Sequence, residues 1–431
     1  MKSALFVPVI TLFTTIAGAA NWPAWRGPNA DGTTREKNFP TEWSDSKNIR
    51  WKVPLPDAGN STPIVWGDRI FLTQAVEAEN RRTVMCLDRA TGKTLWQSGV
   101  TYREKDESHE ANPHCSASPV TDGERVVAYF GSAGVGCYDF QGKELWHRDL
   151  GRQQHEWGYA SSPVIHGDLC FVYHGPGPGA QMLGLNKKTG ETVWKFAEPP
   201  AKTAGRGDGF KGREPGYVGS WSTPLLVKAK RRDELVMSFP TLLAAFDPET
   251  GRQLWTCDGL NPLIYASPVY ADGLVVALGG FFGSAIAVKP GGDGDVTAVQ
   301  RVWREERAKK NRCGSGVVLD GRMFLVNMEG FGECIDLKAG QQLWEERMPK
   351  KGAKGDFWSS PLLAGDRIYA VNQSGDVIVL KAGPRFEVVA VNNIGDETTN
   401  ASLVPSDGEL LLRTHKHLWC IAETKATASA N

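Results

Sequence analysis

The chain has 431 residues, of which 41% are hydrophobic and 23% charged, with 49 Lys+Arg against 49 Asp+Glu. Balanced charge excludes a net field that would hold nucleic acid, an acidic polymer or an anionic membrane surface, so any site for a charged ligand must be local. Plentiful Gly (48), Pro (25) and Trp (15) suit tight turns and short strands, and no long amphipathic helix is legible.

At the N-terminus, Lys2, an apolar run from Ala4 to Ile16 and the small residues Ala17-Gly18-Ala19-Ala20 stand in the order of a secretory signal. Residues 1–20 are therefore expected to be a signal peptide cleaved after Ala19 or Ala20. The run is shorter than a bilayer span and contains Pro8, and no cysteine stands at the junction for lipid attachment. The mature protein is expected to be periplasmic or secreted, monomeric and without a membrane span. Residues 21–47, including Trp22-Pro23-Ala24-Trp25-Arg26-Gly27-Pro28, are expected to pack over the outside or an end of the domain. Residues 48–53, Asn48 to Val53, read as a strand with no unit before it.

From there a pattern recurs to residue 422. Its first marker is small-Ser/Thr-Pro-aliphatic: Ser61-Thr62-Pro63-Ile64, Ala117-Ser118-Pro119-Val120, Ser161-Ser162-Pro163-Val164, Ser222-Thr223-Pro224-Leu225, Ala266-Ser267-Pro268-Val269 and Ser359-Ser360-Pro361-Leu362. Gly314-Ser315-Gly316-Val317 and Ala401-Ser402-Leu403 are degenerate copies, which makes eight starts. The second marker is a tight turn followed by Trp, as in Asp88-Arg89-Ala90-Thr91-Gly92-Lys93-Thr94-Leu95-Trp96 and Asp247 to Trp255, where Gly supplies the positive φ of a reversal. Variants end at Trp146, Trp194, Trp303 and Trp344, and Phe386 stands in for the seventh. Two apolar runs lie between the markers, so each unit predicts four short antiparallel strands.

The marker Trp residues are 41 to 61 residues apart, the spacing of propeller blades rather than helical repeats. The eighth unit lacks a fourth strand, and residues 48–53 supply one. The expectation is an all-β, eight-bladed β-propeller of four-stranded antiparallel blades, closed by the N-terminal strand completing the C-terminal blade, with a disordered tail over 423–431. Cys86, Cys137, Cys334 and Cys420 occupy one small core position in four units, so at most one disulfide is expected among the eight cysteines.

These repeats, above all Asp-x-x-Thr-Gly-x-x-x-Trp in units one and four, resemble those of the pyrroloquinoline-quinone (PQQ)-like propeller family. That family includes quinoprotein dehydrogenases, BamB-type outer-membrane assembly proteins and binding modules. The resemblance implies that Trp51, Trp96, Trp146, Trp194, Trp255, Trp303 and Trp344 pack between blades. A dehydrogenase of the family would clamp the quinone between a Trp and adjacent cysteines and hold Ca²⁺. This chain has no Cys-Cys pair and no C-x-x-C-H, so no cofactor is expected. PQQ with calcium belongs to the alternative reading alone, with Trp157, Trp221 or Trp358 as stacking face and Glu156 or Asp356 as hard ligand.

The segments leading into the inner strands should ring the mouth of the central channel. Two are long: 23 residues separate Trp96 from Pro119, and 30 separate Trp194 from Pro224. They and their neighbours carry the candidate ligand residues His109, His114, His155, Glu156, Trp157, Tyr159, Tyr217, Trp221, Tyr265, Arg312 and Trp358, a polar-aromatic set suited to a sugar, a glycopeptide or a protein loop. No catalytic residue is identified. His109, Glu110 and His114 match no metal-ligand spacing, and the Gly-rich loops 174–179 and 279–283 lack the following helix of a phosphate cradle. Three functions follow from this reading. One is an exported, non-catalytic scaffold binding an envelope protein or a small or carbohydrate ligand at the channel mouth. The alternatives are a PQQ-dependent alcohol or sugar dehydrogenase and a BamB-like assembly factor.

Overall fold

A computed structural model describes residues 20–202, 218–281, 283–305 and 310–423. Residues 1–19 of the expected signal and the tail beyond residue 423 lie outside them, as does Tyr217. Eight antiparallel four-stranded sheets follow one another around a central channel. The first blade has the strands Ile64–Trp66, Arg69–Val76, Arg81–Asp88 and Thr94–Thr101 from channel to rim. The last has Val404–Ser406, Glu409–Arg413 and His417–Ile421, and its outermost strand is Ile49–Pro54, antiparallel to His417–Ile421. This closure joins the two ends of the chain and leaves no open gap in the ring.

The Ser/Thr of each first marker has a structural task. Eight backbone N–H groups donate to hydroxyls one blade onward, from Thr62 to Ser118, Ser162, Thr223, Ser267, Ser315, Ser360, Ser402 and back to Thr62, at 2.8–3.0 Å. Inner strands are too far apart at the channel to pair as a sheet, and this hydroxyl ring satisfies donors that would otherwise be buried unmet. Apolar side chains fill the wedges between blades. One such cluster joins Ile64, Phe71 and Cys86 of the first blade to Val126, Ala128 and Tyr138 of the second. All eight cysteines are free thiols, seven of them buried.

At the rim, Trp51, Trp96, Trp146, Trp194, Trp303 and Trp344 each donate an indole N–H to a backbone carbonyl of the next blade, at 2.9–3.3 Å. The glycine of the turn is needed twice. Gly92 has φ +71° and a Cβ there would stand 2.8 Å from the Trp51 ring, while Gly251 has φ +69° and would meet Trp194 at 2.5 Å. The turn hallmark is thus half of an inter-blade contact. Trp255 departs from the series: its N–H donates to Glu234 in its own blade, and a short parallel strand, Gly294–Asp295, covers that blade's outer edge.

Residues 20–47, expected over the outside or an end, pair with innermost strands. Trp22 bridges Val65, Pro23 O accepts from Thr121, and Thr33–Thr34 pairs in parallel with Leu363–Ala364, all on innermost strands. The segment crosses the channel below the hydroxyl ring. Arg26 is buried there, its guanidinium donating to the carbonyls of Ala30, Asp31, Ser315 and Gly316, and desolvation lowers its pKa to about 10. Beyond it, Phe39 and Trp43 enter the core shared by the seventh, eighth and first blades, and Trp43 stacks on Tyr369.

Candidate functional site

Inner strands start at the channel mouth, so the segments preceding them set its chemistry. Seven of the eight ring residues, all but Ser315, line a cavity of about 260 Å³. Their hydroxyls already accept a neighbour's N–H, which leaves O–H donors for whatever enters. Trp25 reaches the same cavity from the segment that crosses below.

The wall nearest the third to fifth blades is aromatic. Trp157 and Trp221 have centroids 5.7 Å apart at 31°, and Trp221 meets Tyr265 at 5.2 Å. Phe281, from the Gly-rich loop of the fifth blade, stands edge-on to Trp157 and Tyr265 at 6.2 and 5.3 Å. Trp221 is held by its N–H on Gly158 O at 2.9 Å. Gly280 must be glycine because a Cβ would stand 2.5 Å from Tyr265, so the loop comes close enough for Phe281 to join the wall.

Amides make the other wall. Asn60 and Asn400 both donate to Ala111 O, at 2.9 and 2.8 Å, and Asn112 donates to the carbonyls of Trp157 and Tyr159. These bonds pull residues 102–115, the long insertion before the second blade, across the mouth as a strap. Its flanks are pinned by Asp106 on Ser132 and by His114 on Glu77 and Arg82. The strap thereby roofs part of the cavity.

No Asp, Glu, Lys or Arg belongs to the lining among the described residues. His155 stands behind the aromatic wall, 4.9 Å from Trp221 and 5.6 Å from Trp157, and burial lowers its pKa to about 4. His415, bonded to Asn60 Oδ1, is likewise lowered to about 4 by burial and then by Arg413 and Lys354. Both are neutral at physiological pH. Burial also raises the Cys313 thiol to about 12, so it is not a nucleophile there.

PQQ carries three carboxylates, and Ca²⁺ takes six to eight oxygen ligands in which carboxylates are prominent. An uncharged lining suits neither, and no cluster of three His, Cys, Asp or Glu able to hold a metal occurs among the described residues. The described lining residues do not fit that group.

Of the side chains singled out in the sequence, His109, Trp157, Trp221, Tyr265 and Trp358 meet at the cavity. The other described candidates stand outside the lining. Arg312 is fully buried between Glu305 and Glu333, His114 anchors the strap, and Glu156 points to solvent. His155 and Tyr159 back the wall, the Tyr159 hydroxyl accepting from Cys115 N–H. Residues the sequence left unassigned are Trp25, Asn60, Asn400, Phe281 and the ring hydroxyls. Two signals were present: the recurring Ser-Pro of the ring, which reads as scaffold, and the Gly-rich loop 279–283 around Phe281, which reads as turn chemistry.

Comparison with known proteins agrees with the architecture. The family model described as outer membrane protein assembly factor BamB matches residues 80–211 and 229–425. A curated protein of that description from Burkholderia pseudomallei is 23% identical over 388 residues, covering 80% of this chain and 92% of its own. Among solved structures, BamB from Moraxella catarrhalis superposes with TM-score 0.59 at 16% identity, covering 89% of this chain and 98% of its own. Quinohemoprotein alcohol dehydrogenase from Comamonas testosteroni gives TM-score 0.68 at 12% identity, covering 96% and 82%. Likeness at such identity speaks for the fold alone.

Proposed function

Since the chain belongs to the family of the outer membrane protein assembly factor BamB, we propose that it is a non-catalytic scaffold of the cell envelope that holds a partner at its channel mouth. The observation that carries this reading is the cavity itself: aromatic, without a charged side chain among its described lining residues, partly roofed and flanked by exposed charged residues such as Glu107, Glu110 and Glu156. A desolvated aromatic centre within a polar rim is the make-up of a binding hot spot. The partner presents a neutral group that enters the cavity, while the strap and its neighbours contact the surroundings.

The immobilised protein tests this against envelope extract. A component should be retained, and Trp157→Ala should release it while Leu95→Ala on the outer rim should not. Equal retention by both variants overturns the reading.

Family membership favours a second, finer reading, that the partner belongs to an outer-membrane protein assembly machinery. Cross-linking from position 109 on the strap should then capture a component of that machinery, and exclusive capture of other material would discard it.

A further inference from the structure

We infer that the group received at the channel mouth is a neutral pyranose sugar, an inference that rests on the reading of the mouth as a binding site. The cavity has two unlike walls over a floor of hydroxyls. A pyranose has the matching character: a C–H face that lies on aromatic rings, and an edge of hydroxyls that both donate and accept.

Three features separate a sugar from other neutral occupants. The wall rings are canted, Trp157 at 31° to Trp221 and Phe281 at 83° to Trp157. A flat heterocycle stacks best between parallel faces, whereas a canted, concave wall suits a puckered ring. The channel is crossed below by the segment carrying Trp25 and roofed in part by the strap, so a through-running peptide has no exit. The free hydrogen-bonding capacity is also mixed. The Trp358 indole N–H is buried and meets no acceptor among the described residues. Asn112, with its amide hydrogens on Trp157 O and Tyr159 O, keeps Oδ1 as an acceptor. The ring hydroxyls supply further donors. A buried N–H without a partner is costly unless a ligand meets it. Acidic sugars are disfavoured, because no cationic side chain lines the cavity among the described residues.

Titration of the purified protein with the methyl glycosides of glucose, galactose and N-acetylglucosamine, followed by tryptophan fluorescence and calorimetry, tests the inference. At least one should saturate, and glucuronate should bind about tenfold more weakly or not at all. Trp157→Ala should weaken the sugar by about tenfold or more through loss of the stacking face. Trp358→Phe keeps the ring and removes only the N–H, and should cost about fivefold with unchanged melting temperature. No saturable response to any neutral glycoside, or affinity indifferent to both substitutions, overturns the inference. Envelope material retained through Trp157 but not displaced by any glycoside also overturns it while leaving the scaffold reading intact. Retention that Trp157→Ala leaves unchanged removes both.

Discussion

Tryptophan is used in two ways in this molecule, at the rim and at the mouth. Trp194 on the rim is 7% exposed, its N–H held by Pro248 O and its ring pressed on the glycine of the next blade's turn. Trp157 at the mouth is half-buried and faces the cavity beside Trp221. The rim residue is buried against the next blade, and the mouth residue lines a cavity. Residue type alone therefore does not separate the two roles; what covers the ring does.

The largest test of this contrast is Trp194→Ala. Removing a buried indole should destabilise by about 3–5 kcal/mol in denaturant unfolding, with affinity at the mouth unchanged in the folded fraction. A parallel loss of ligand affinity would mean that rim and mouth are one unit. Next comes Ser162→Ala, which leaves the Ser118 N–H without its acceptor. A cost of about 1–3 kcal/mol is expected, and a change below measurement would show that the hydroxyl ring is ornamental to stability.

Trp157→Ala reverses the pattern. Its stability should stay within about 1 kcal/mol of the parent, because the ring is only half covered, while retention of the partner is lost.

A pH titration sharpens the contrast from the mouth side. His155 and His415 have folded values of about 4 against the ordinary 6.5. Between those values the unfolded chain binds protons that the native state refuses, so stability present above pH 6.5 is lost as pH falls toward 4. Melting temperature should fall across that window, and His155→Gln should flatten the slope. An unchanged slope would place the titrating groups elsewhere. The smallest effect is expected for Leu95→Ser, since Leu95 is 50% exposed on the rim. Its stability should move by no more than about 0.5 kcal/mol.

Leu95 also shows how tertiary context overrides a repeat. The equivalent Leu254 is 3% exposed, because Gly294–Asp295 pairs onto its strand. Nothing in the local pattern of the fourth unit signals this, since the covering residues arrive from a turn of the fifth. Likewise Tyr159 and Trp157 are two residues apart in an irregular segment, where no period assigns one to the cavity and the other to the core behind it. Arg312 looked like a mouth residue by position, yet Glu305 and Glu333 hold it in the interior.

By itself the sequence determined the number of blades, their four-strand make-up, the closing strand and the Trp rim. Each follows from residues a few positions apart, repeated often enough that local chemistry states it eight times. The tertiary structure alone decided that residues 20–47 cross the channel, that Trp25 reaches the cavity, and that no charged side chain lines it among the described residues. The cavity draws Trp25, Asn60, Asn112, Trp157, Phe281 and Asn400 from widely separated parts of the chain. Their meeting depends on ring closure, a long-range geometry that no local period encodes.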